Sequence, residues 1–181
     1  MKGIVFVELI RMAETVIGEE AVDTILDQCD LSTDGAYSAV GNYPCAELIT
    51  LVEALSKHTG TPSAELQRLF GKWMHEQFVT NYPAFFTDKS DALAMLSAIE
   101  DEVHVEVRKL YPDAELPRFE TEHIASDELR MVYRSPRPLS DFCHGLVEGC
   151  VDHFGHRADI RRKDLSGADE HACAFTIHLR E

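Results

Sequence analysis

The spacing of hydrophobic residues changes about two thirds of the way along this chain of 181 residues. Up to Tyr111 the apolar side chains recur three or four positions apart, which is the spacing of amphipathic helices. Beyond Pro112 they alternate more often with polar residues, as on strands that bury one face. The change predicts an α+β protein, with a helical amino-terminal lobe and a carboxy-terminal lobe that adds a small antiparallel sheet.

Glycine and proline punctuate the helical part. The predicted helices cover residues 4–17, 19–29, about 44–58, 62–80 and about 90–111. Thr61 is predicted to be the N-cap of the fourth helix, with Pro62 in its first turn. The fifth is predicted to be one long amphipathic helix that closes at Tyr111-Pro112. Its apolar stripe is predicted to hold Leu93, Leu96, Ile99, Val103, Val107 and Leu110.

The carboxy-terminal part reads as two strand pairs around a helix. The predicted elements are strands 117–124 and 128–133 around the turn Ser126-Asp127, a helix over 139–154, and strands 157–162 and 171–179 around the turn Ser166-Gly167-Ala168-Asp169. Because no linker or repeat interrupts the chain, we expect a single domain over 1–181, with a helical lobe over about 1–60 packed on a second lobe over about 61–181.

Composition disfavours two classes of partner. Thirty-two acidic against 17 basic residues give a formal net charge of −15, which repels nucleic acid and anionic membrane surfaces. Glu8 and Arg11 interrupt the apolar amino terminus, so we expect a cytoplasmic protein without a secretory signal or membrane anchor. The five cysteines are an odd number without close pairs, which predicts reduced, mostly buried thiols.

The stretch Tyr133-Arg134-Ser135-Pro136-Arg137 ends a predicted strand and is rich in hydrogen-bond donors. Side chains two apart on a strand share a face, so Tyr133, Ser135 and Arg137 are predicted to point the same way, on a face without an acidic group. Arginine beside two hydroxyls suits a carboxylate or phosphate, because its guanidinium can donate two parallel hydrogen bonds. We call these three residues the anion clamp; the alternative is an ordinary strand running into a surface turn.

His104 lies upstream, at the edge of the apolar stripe of the long predicted helix. A neutral imidazole there could offer a nitrogen to a metal, although a lone helical histidine more often satisfies its polarity with a carbonyl or water. Together with the anion clamp and the apolar helices, His104 points to haem, whose iron takes an axial histidine and whose propionates need cationic and hydroxyl donors.

Five stretches spread over nearly the whole chain resemble one protein family. They are Met1-Lys2-Gly3, Val40-Gly41-Asn42-Tyr43-Pro44, Leu69-Phe70-Gly71-Lys72-Trp73, His104-Val105-Glu106-Val107-Arg108-Lys109-Leu110-Tyr111-Pro112, and Tyr133-Arg134-Ser135-Pro136-Arg137. The chain thereby resembles the haem nitric oxide/oxygen-binding (H-NOX) domain family, which includes bacterial stand-alone sensors and the haem domain of soluble guanylate cyclase. The family's Tyr-x-Ser-x-Arg signature is matched in full.

The resemblance implies a fold, a cofactor and residue roles. It implies the H-NOX fold, with haem b buried between the two lobes. It makes His104 the axial iron ligand and assigns the haem propionates to Tyr133, Ser135 and Arg137. Pro117 falls where the family places a proline that presses on the haem and distorts it.

The same resemblance addresses which gas is bound. Oxygen-binding members use a distal tyrosine and supporting polar groups, and these positions fall here at Phe142, Leu9 and Met74, which are all apolar. Nitric oxide binds ferrous iron strongly without a hydrogen bond, so an apolar pocket discriminates against oxygen. The predicted pocket wall consists of Val5, Leu9, Met74, Phe78, Phe142 and Leu146, for each of which ordinary core packing is the alternative.

In similar sensors nitric oxide breaks the iron–histidine bond. The resemblance therefore implies a nitric oxide sensor, also able to bind carbon monoxide, in which release of His104 moves the 91–111 helix relative to the carboxy-terminal lobe. The chain reaches Glu181 without a catalytic segment, so we expect its output to pass to a histidine kinase or a diguanylate cyclase/phosphodiesterase, in two-component or cyclic-di-GMP signalling.

Three alternatives stay open: a haem sensor of oxygen or redox state, a zinc or thiol redox switch, and an enzyme. The residues for a zinc or thiol switch are Cys143, Cys150, Cys173, His153, His156 and His171. Zinc is disfavoured because Lys163-Asp164-Leu165 stands where a relative supplies cysteine or histidine. An enzyme is disfavoured because Ser135 lacks a nucleophile elbow, and neither a glycine-rich phosphate loop nor paired carboxylates are evident.

Overall fold

The computed structural model describes residues 1–168 and 170–180, so Asp169 of the last predicted turn and Glu181 lie outside the described residues. The described residues form eight α-helices, one π-helical turn and four strands, and the prediction of an α+β protein is confirmed. The chain divides into two compact units, Met1–Phe70 and Gly71–Glu181, and the extent of a single domain over 1–181 stays a prediction. Among the described residues, every helix is too short or too polar to cross a membrane.

The first unit is helical. Its helices are α1 (Gly3–Ile17), α2 (Glu19–Asp27) and α3 (Cys45–Thr59), followed by the start of α4 (Ser63–Asn81). Gly60 ends α3 in the left-handed conformation, with φ of +73°, which glycine adopts without strain. Pro62 was predicted in the first turn of the next helix but precedes it by one residue, with its carbonyl accepting from the N–H of Leu66.

Aromatic rings and one buried carboxylate organise the interior of the first unit. Phe6 is fully buried on α1, stacks on Tyr37 with ring centroids 4.5 Å apart, and meets Tyr43 edge-on at 5.5 Å. The buried carboxylate of Glu47 accepts hydrogen bonds from the hydroxyls of Ser32 at 2.6 Å and Tyr37 at 2.7 Å. The charge is therefore buried with its hydrogen-bonding capacity used, as buried polar groups require.

The second unit combines helices with one sheet. After the end of α4 it contains α5 (Ala84–Thr87), α6 (Ala92–Ser97), α7 (His104–Leu110), α8 (Ser140–His153), β1 (Arg118–Ala125), β2 (Glu128–Ser135), β3 (Arg157–Asp164) and β4 (His171–Arg180). The strands are antiparallel in the order β1-β2-β4-β3. The turn at Ser126-Asp127 is confirmed, whereas the four-residue α5 was not predicted, because it is too short to show a period.

An apolar core joins this sheet to the helices. On β2 the side chains of Leu129, Met131 and Tyr133 are buried and alternate with the more exposed Arg130 and Arg134. The other core residues include Leu93, Leu96, Cys143, Val147, Cys150, Cys173, Phe175 and Ile177. Because one face of β2 is packed along its length, the strand end that carries Tyr133 is held rigidly.

The single long helix predicted over 90–111 is wrong. α6 ends at Ser97, and Ile99–Val103 forms a π-helical turn before α7 begins at His104. The N–H of His104 donates to the carbonyl of Ile99, five residues earlier instead of four. The wider turn shifts the phase of the following side chains, so Leu110, predicted on the apolar stripe, is 67% exposed.

Candidate functional site

His104 is the first residue of α7, directly after the π-helical turn. It is only 8% exposed, whereas the next residue, Val105, is 38% exposed. Its ring atom Nδ1 lies 3.1 Å from Oε2 of Glu100, and among the described residues no hydrogen bond to Nε2 is found. π-Helical turns inside helices occur frequently at functional sites, and here the turn accompanies a buried imidazole with one nitrogen anchored.

Glu100 holds this imidazole from within the π-helical turn. Its Oε2 also accepts from the backbone N–H of Phe119 at 3.2 Å, and its Oε1 accepts from Nη2 of Arg108 at 2.7 Å. One carboxylate thus connects the π-helical turn, α7 and β1. Glu100 is not among the residues predicted from the sequence, although its position four residues before His104 is a spacing at which helical side chains meet.

The protonation of this pair follows from burial and hydrogen bonding. Burial lowers the pKa of His104 below its usual value, and the hydrogen bond to Glu100 offsets only part of that effect. Burial raises the pKa of Glu100, but hydrogen bonds from Arg108, His104 and the Phe119 N–H outweigh it, and the pKa falls below its usual value. An ionised carboxylate can only accept, so Nδ1 carries the proton and Nε2 presents a lone pair, the form in which histidine binds metals.

The anion clamp is assembled at the end of β2. Tyr133 and Ser135 share a face of the strand and are 3% and 4% exposed. The Ser135 Oγ accepts from the backbone N–H of Arg137 at 3.1 Å, and the Tyr133 hydroxyl donates to the Arg137 carbonyl at 3.4 Å. The structure therefore brings all three residues together, with Arg137 held on the bend that follows the strand instead of on the strand itself.

The prediction that this face lacks an acidic group is wrong. The guanidinium of Arg137 pairs with the carboxylate of Glu115 and also donates to its backbone carbonyl at 2.6 Å. The pairing arises because β1 and β2 are antiparallel with Arg118 opposite Arg134, and continuing that register places residue 115 opposite residue 137. The Arg137 side chain is 11% exposed and that of Glu115 is 78% exposed, so the acidic partner reaches in from solvent.

Phe119 lies between His104 and the anion clamp. Its ring centroid is 5.6 Å from that of His104 and 5.8 Å from that of Tyr133, its partner across the β1–β2 ladder. Pro117 lies two residues before it and is partly buried just ahead of β1. Phe119 was not predicted as a site residue, since the contact depends on strand pairing.

Four residues of the predicted pocket wall lie in the second unit. They are Met74, which is 1% exposed, and the partly buried Phe78, Phe142 and Leu146. The helices that carry them, α4 and α8, pack backbone to backbone, since a Cβ added to Gly71 would lie 2.8 Å from the Cα of Gly145. All four side chains are apolar, and Phe78 packs against the main core of the unit.

The other two predicted wall residues, Val5 and Leu9, lie on α1 in the first unit. Leu9 is 1% exposed and borders a cavity of about 10 Å³ with apolar side chains of α1, α2 and α3. A cavity of that size holds at most about one water molecule, so within the first unit Leu9 is a packed core residue. A role for either residue in gas binding stays a prediction.

The cysteines of the second unit are unsuited to redox chemistry. Cys143, Cys150 and Cys173 are buried in its core, and burial raises the pKa of Cys143 and raises that of Cys150 to about 12. Reactive thiols need a lowered pKa and access to solvent. Within residues 1–168 and 170–180, no group of three or more histidine, cysteine, aspartate or glutamate side chains is placed to hold a metal ion.

Solved structures similar to this chain share its fold throughout. The Fe(II) unliganded H-NOX protein from K. algicida is 34% identical, with a TM-score of 0.92, and the match covers 100% of this chain and 97% of the other. The H-NOX from Shewanella woodyi, solved bound to IWP-051 in the Fe(II)CO state, is 37% identical with a TM-score of 0.83, over 98% and 94% of the two chains.

An H-NOX protein from S. oneidensis, in the Fe(II)NO ligation state, is 25% identical with a TM-score of 0.88, over 100% of both chains. No curated protein matches the chain. The family model described as Haem-NO-binding matches residues 2–162. The chain therefore has the H-NOX fold and belongs to the H-NOX family of haem-binding domains, which sense gases such as nitric oxide and carbon monoxide and are not catalytic.

Proposed function

We propose that this protein is a nitric oxide sensor that binds ferrous haem b through His104 and has little affinity for oxygen. Bound haem supplies a ferrous iron atom with an open position for a diatomic gas. The chain supplies an axial nitrogen for the iron, hydrogen-bond donors for the propionates and an apolar lining for the gas pocket. It also supplies the segment around His104 that transmits the signal.

The observation that carries this proposal is the state of His104. Its imidazole is buried, is tethered at Nδ1 by Glu100, and keeps Nε2 outside the hydrogen bonds of the described residues. With Nδ1 held by Glu100, the lone pair of Nε2 is available to a ligand outside the chain. A metal can accept this lone pair, and metal-bound histidines typically donate their other N–H to a carboxylate or carbonyl.

The anion clamp fits the propionates of the same group. Arg137 offers a guanidinium and Ser135 and Tyr133 offer hydroxyls, and all three side chains are mostly buried. Glu115 holds Arg137 now, but the Glu115 side chain is itself 78% exposed, so a propionate can replace this carboxylate and leave Glu115 solvated. The proposed roles are therefore an iron ligand at His104 and propionate donors at Tyr133, Ser135 and Arg137.

Selectivity for nitric oxide rests on the lining of the pocket. Met74, Phe78, Phe142 and Leu146 are the proposed wall residues in the second unit, and none of them can donate a hydrogen bond to a bound gas. Iron-bound oxygen gains from such a donor, whereas nitric oxide binds ferrous iron strongly without it. Val5 and Leu9 are predicted to add further apolar side chains, and Pro117 is predicted to press on the haem.

Signalling starts at His104 in this proposal. His104 would hold the iron, and its release on nitric oxide binding would free the π-helical turn and α7 that carry it to move. The partner that responds is proposed to be a histidine kinase or a diguanylate cyclase/phosphodiesterase. The same site is proposed to bind carbon monoxide as well.

The decisive experiment is absorption spectroscopy of the reduced protein, first unliganded, then with nitric oxide, then in air. We expect the wild type to retain haem, to lose its histidine ligand with nitric oxide, and to form no stable oxygen complex. His104→Ala should lose most of the bound haem. His58→Ala, which replaces an exposed histidine at the end of α3, should behave as wild type.

Each part of the proposal has its own contradicting result. A wild-type protein that takes up no haem would refute the whole proposal. A stable oxygen spectrum would refute the selectivity for nitric oxide, and retention of the histidine ligand in the nitric oxide complex would refute the release of His104.

A further inference from the structure

The carboxylate of Glu100 makes three contacts that divide between its two oxygens. Oε2 accepts from Nδ1 of His104 at 3.1 Å and from the N–H of Phe119 at 3.2 Å. Oε1 accepts from the guanidinium of Arg108 at 2.7 Å. Oε2 therefore accepts hydrogen bonds from the histidine and from β1, and Oε1 accepts from the arginine.

We infer that Glu100 is a positioning residue that sets the strength of the iron–His104 bond and couples His104 to β1. This inference rests on the proposed role of His104 as the iron ligand. A carboxylate that accepts from Nδ1 fixes the tautomer and ring orientation of a metal-bound histidine and makes its other nitrogen a stronger donor. Glu100 acts through His104 and does not contact the iron.

Arg108 opposes this effect. Its guanidinium is 2.7 Å from the carboxylate and draws negative charge toward Oε1, away from the oxygen that faces His104. Removing the arginine strengthens the pull of Glu100 on the imidazole proton, whereas removing the charge of Glu100 weakens it. The two residues therefore act on the iron–histidine bond with opposite signs.

The shared oxygen also provides the coupling to the sheet. Oε2 accepts from both Nδ1 of His104 and the backbone N–H of Phe119, the second residue of β1. A displacement of the imidazole therefore changes the hydrogen bond to the Phe119 N–H. Phe119 in turn contacts the rings of His104 and Tyr133. Release of the histidine would thereby reach the β1–β2 pair through one carboxylate, that of Glu100, and one ring, that of Phe119.

The test compares two substitutions in the haem-loaded, ferrous protein by resonance Raman spectroscopy. Glu100→Gln keeps an oxygen for His104 and Phe119 but loses the charge, and it should lower the iron–histidine stretching frequency. Arg108→Gln keeps the carboxylate and should raise it. The control is Asp101→Asn, which removes a negative charge next to Glu100. The Asp101 side chain is exposed and makes no ion pair among the described residues, so this variant should leave the frequency unchanged.

Haem retention gives a second measurement. Groups that hydrogen-bond the other ring nitrogen of a metal-bound histidine change metal affinity by about 10–100-fold, so we expect Glu100→Gln to lose haem to apomyoglobin about 10-fold faster than wild type. If Glu100→Gln does not hold haem long enough for a spectrum, Arg108→Gln still tests the sign, because its side chain is 44% exposed and its loss leaves the core intact.

The outcomes separate this inference from the proposed function. Frequencies that shift in the same direction in both variants, or not at all, in a protein that binds haem through His104 would overturn the inference alone. A wild type without an iron–histidine vibration would overturn the proposed function and the inference with it.

Discussion

His75 on α4 is a buried imidazole outside the proposed site. It is 6% exposed, and its Nε2 has no hydrogen-bond partner among the described residues. Its ring packs edge-on against Phe86 at 5.4 Å and lies 5.9 Å from the ring of His153. Burial, followed by the charge of His153, lowers the pKa of His75 to about 4, against the opposing charge of Asp152.

This pKa predicts an acid-sensitive stability. The unfolded pKa of histidine is about 6.5, so between about pH 6.5 and pH 4 the unfolded state binds the proton more tightly, and the free energy of unfolding falls as the pH falls. His75 alone should account for about 3 kcal/mol of this loss. Urea denaturation between about pH 6.5 and pH 4 measures the loss in the free energy of unfolding. This loss should be smaller by about 3 kcal/mol in His75→Phe than in wild type, and the variant keeps a ring against Phe86.

The matched control is His58→Phe. His58 is exposed near the end of α3, so replacing it should leave the slope of stability against pH as in wild type. The interpretation of His75 as a neutral buried group would be wrong if His75→Phe and His58→Phe had the same pH dependence.

At the scale of helices, α4 and α8 are held at backbone contact by glycines. A Cβ on Gly71 would overlap the carbonyl oxygen of Phe142 and lie 2.8 Å from the backbone N of Leu146, and one on Gly149 would lie 2.7 Å from Cβ of His75. Backbone atoms cannot yield as a flexible side chain would. The crossing therefore requires glycine at position 71, whereas at Gly149 the His75 side chain occupies the space.

Gly71→Ala should destabilise the protein by about 1–3 kcal/mol, the usual cost of forcing extra volume into a packed interior. Alanine favours a helix by up to about 1 kcal/mol over glycine, which is too little to compensate for an overlap with backbone. A lower urea midpoint with an unchanged slope would show this. Gly167→Ala, where no atom lies within 4 Å of the added Cβ, should leave the midpoint near that of wild type.

The π-helical turn is the second element with a testable requirement. Its extra residue sets the direction of His104 relative to Leu96 and the rest of α6. Deleting Asp101, which is exposed, should restore α-helical spacing and rotate α7 by about 100° relative to α6. We expect the deletion variant to fold, as judged by circular dichroism, but to lose haem, whereas Asp101→Asn keeps it. Full haem loading of the deletion variant would show that the π-helical turn is dispensable.

For the molecule as a whole, the periodicity of apolar residues predicted the helices and strands, whereas contacts between residues distant in sequence determine the geometry of the site. Helices and strands were recognisable because apolar residues repeat at 3.6 or 2 positions over short windows. The contact of Glu115 with Arg137 depends on the β1–β2 register, which no local pattern contains. The π-helical turn was missed because Ile99 and Val103 are four positions apart, as they would be on an α-helix.

Haem removal should lower the stability of the whole protein. A ligand that binds only the folded state adds about 2.7 kcal/mol when its free concentration is 100-fold above Kd. In a chain of this size each kcal/mol shifts Tm by about 2–4 °C, so we expect the haem-loaded protein to unfold about 5–10 °C above the haem-free protein. Thermal unfolding followed by circular dichroism measures the difference. His104→Ala with added haem should unfold at the haem-free temperature, and an equal increase in that variant would show that haem is held without the histidine.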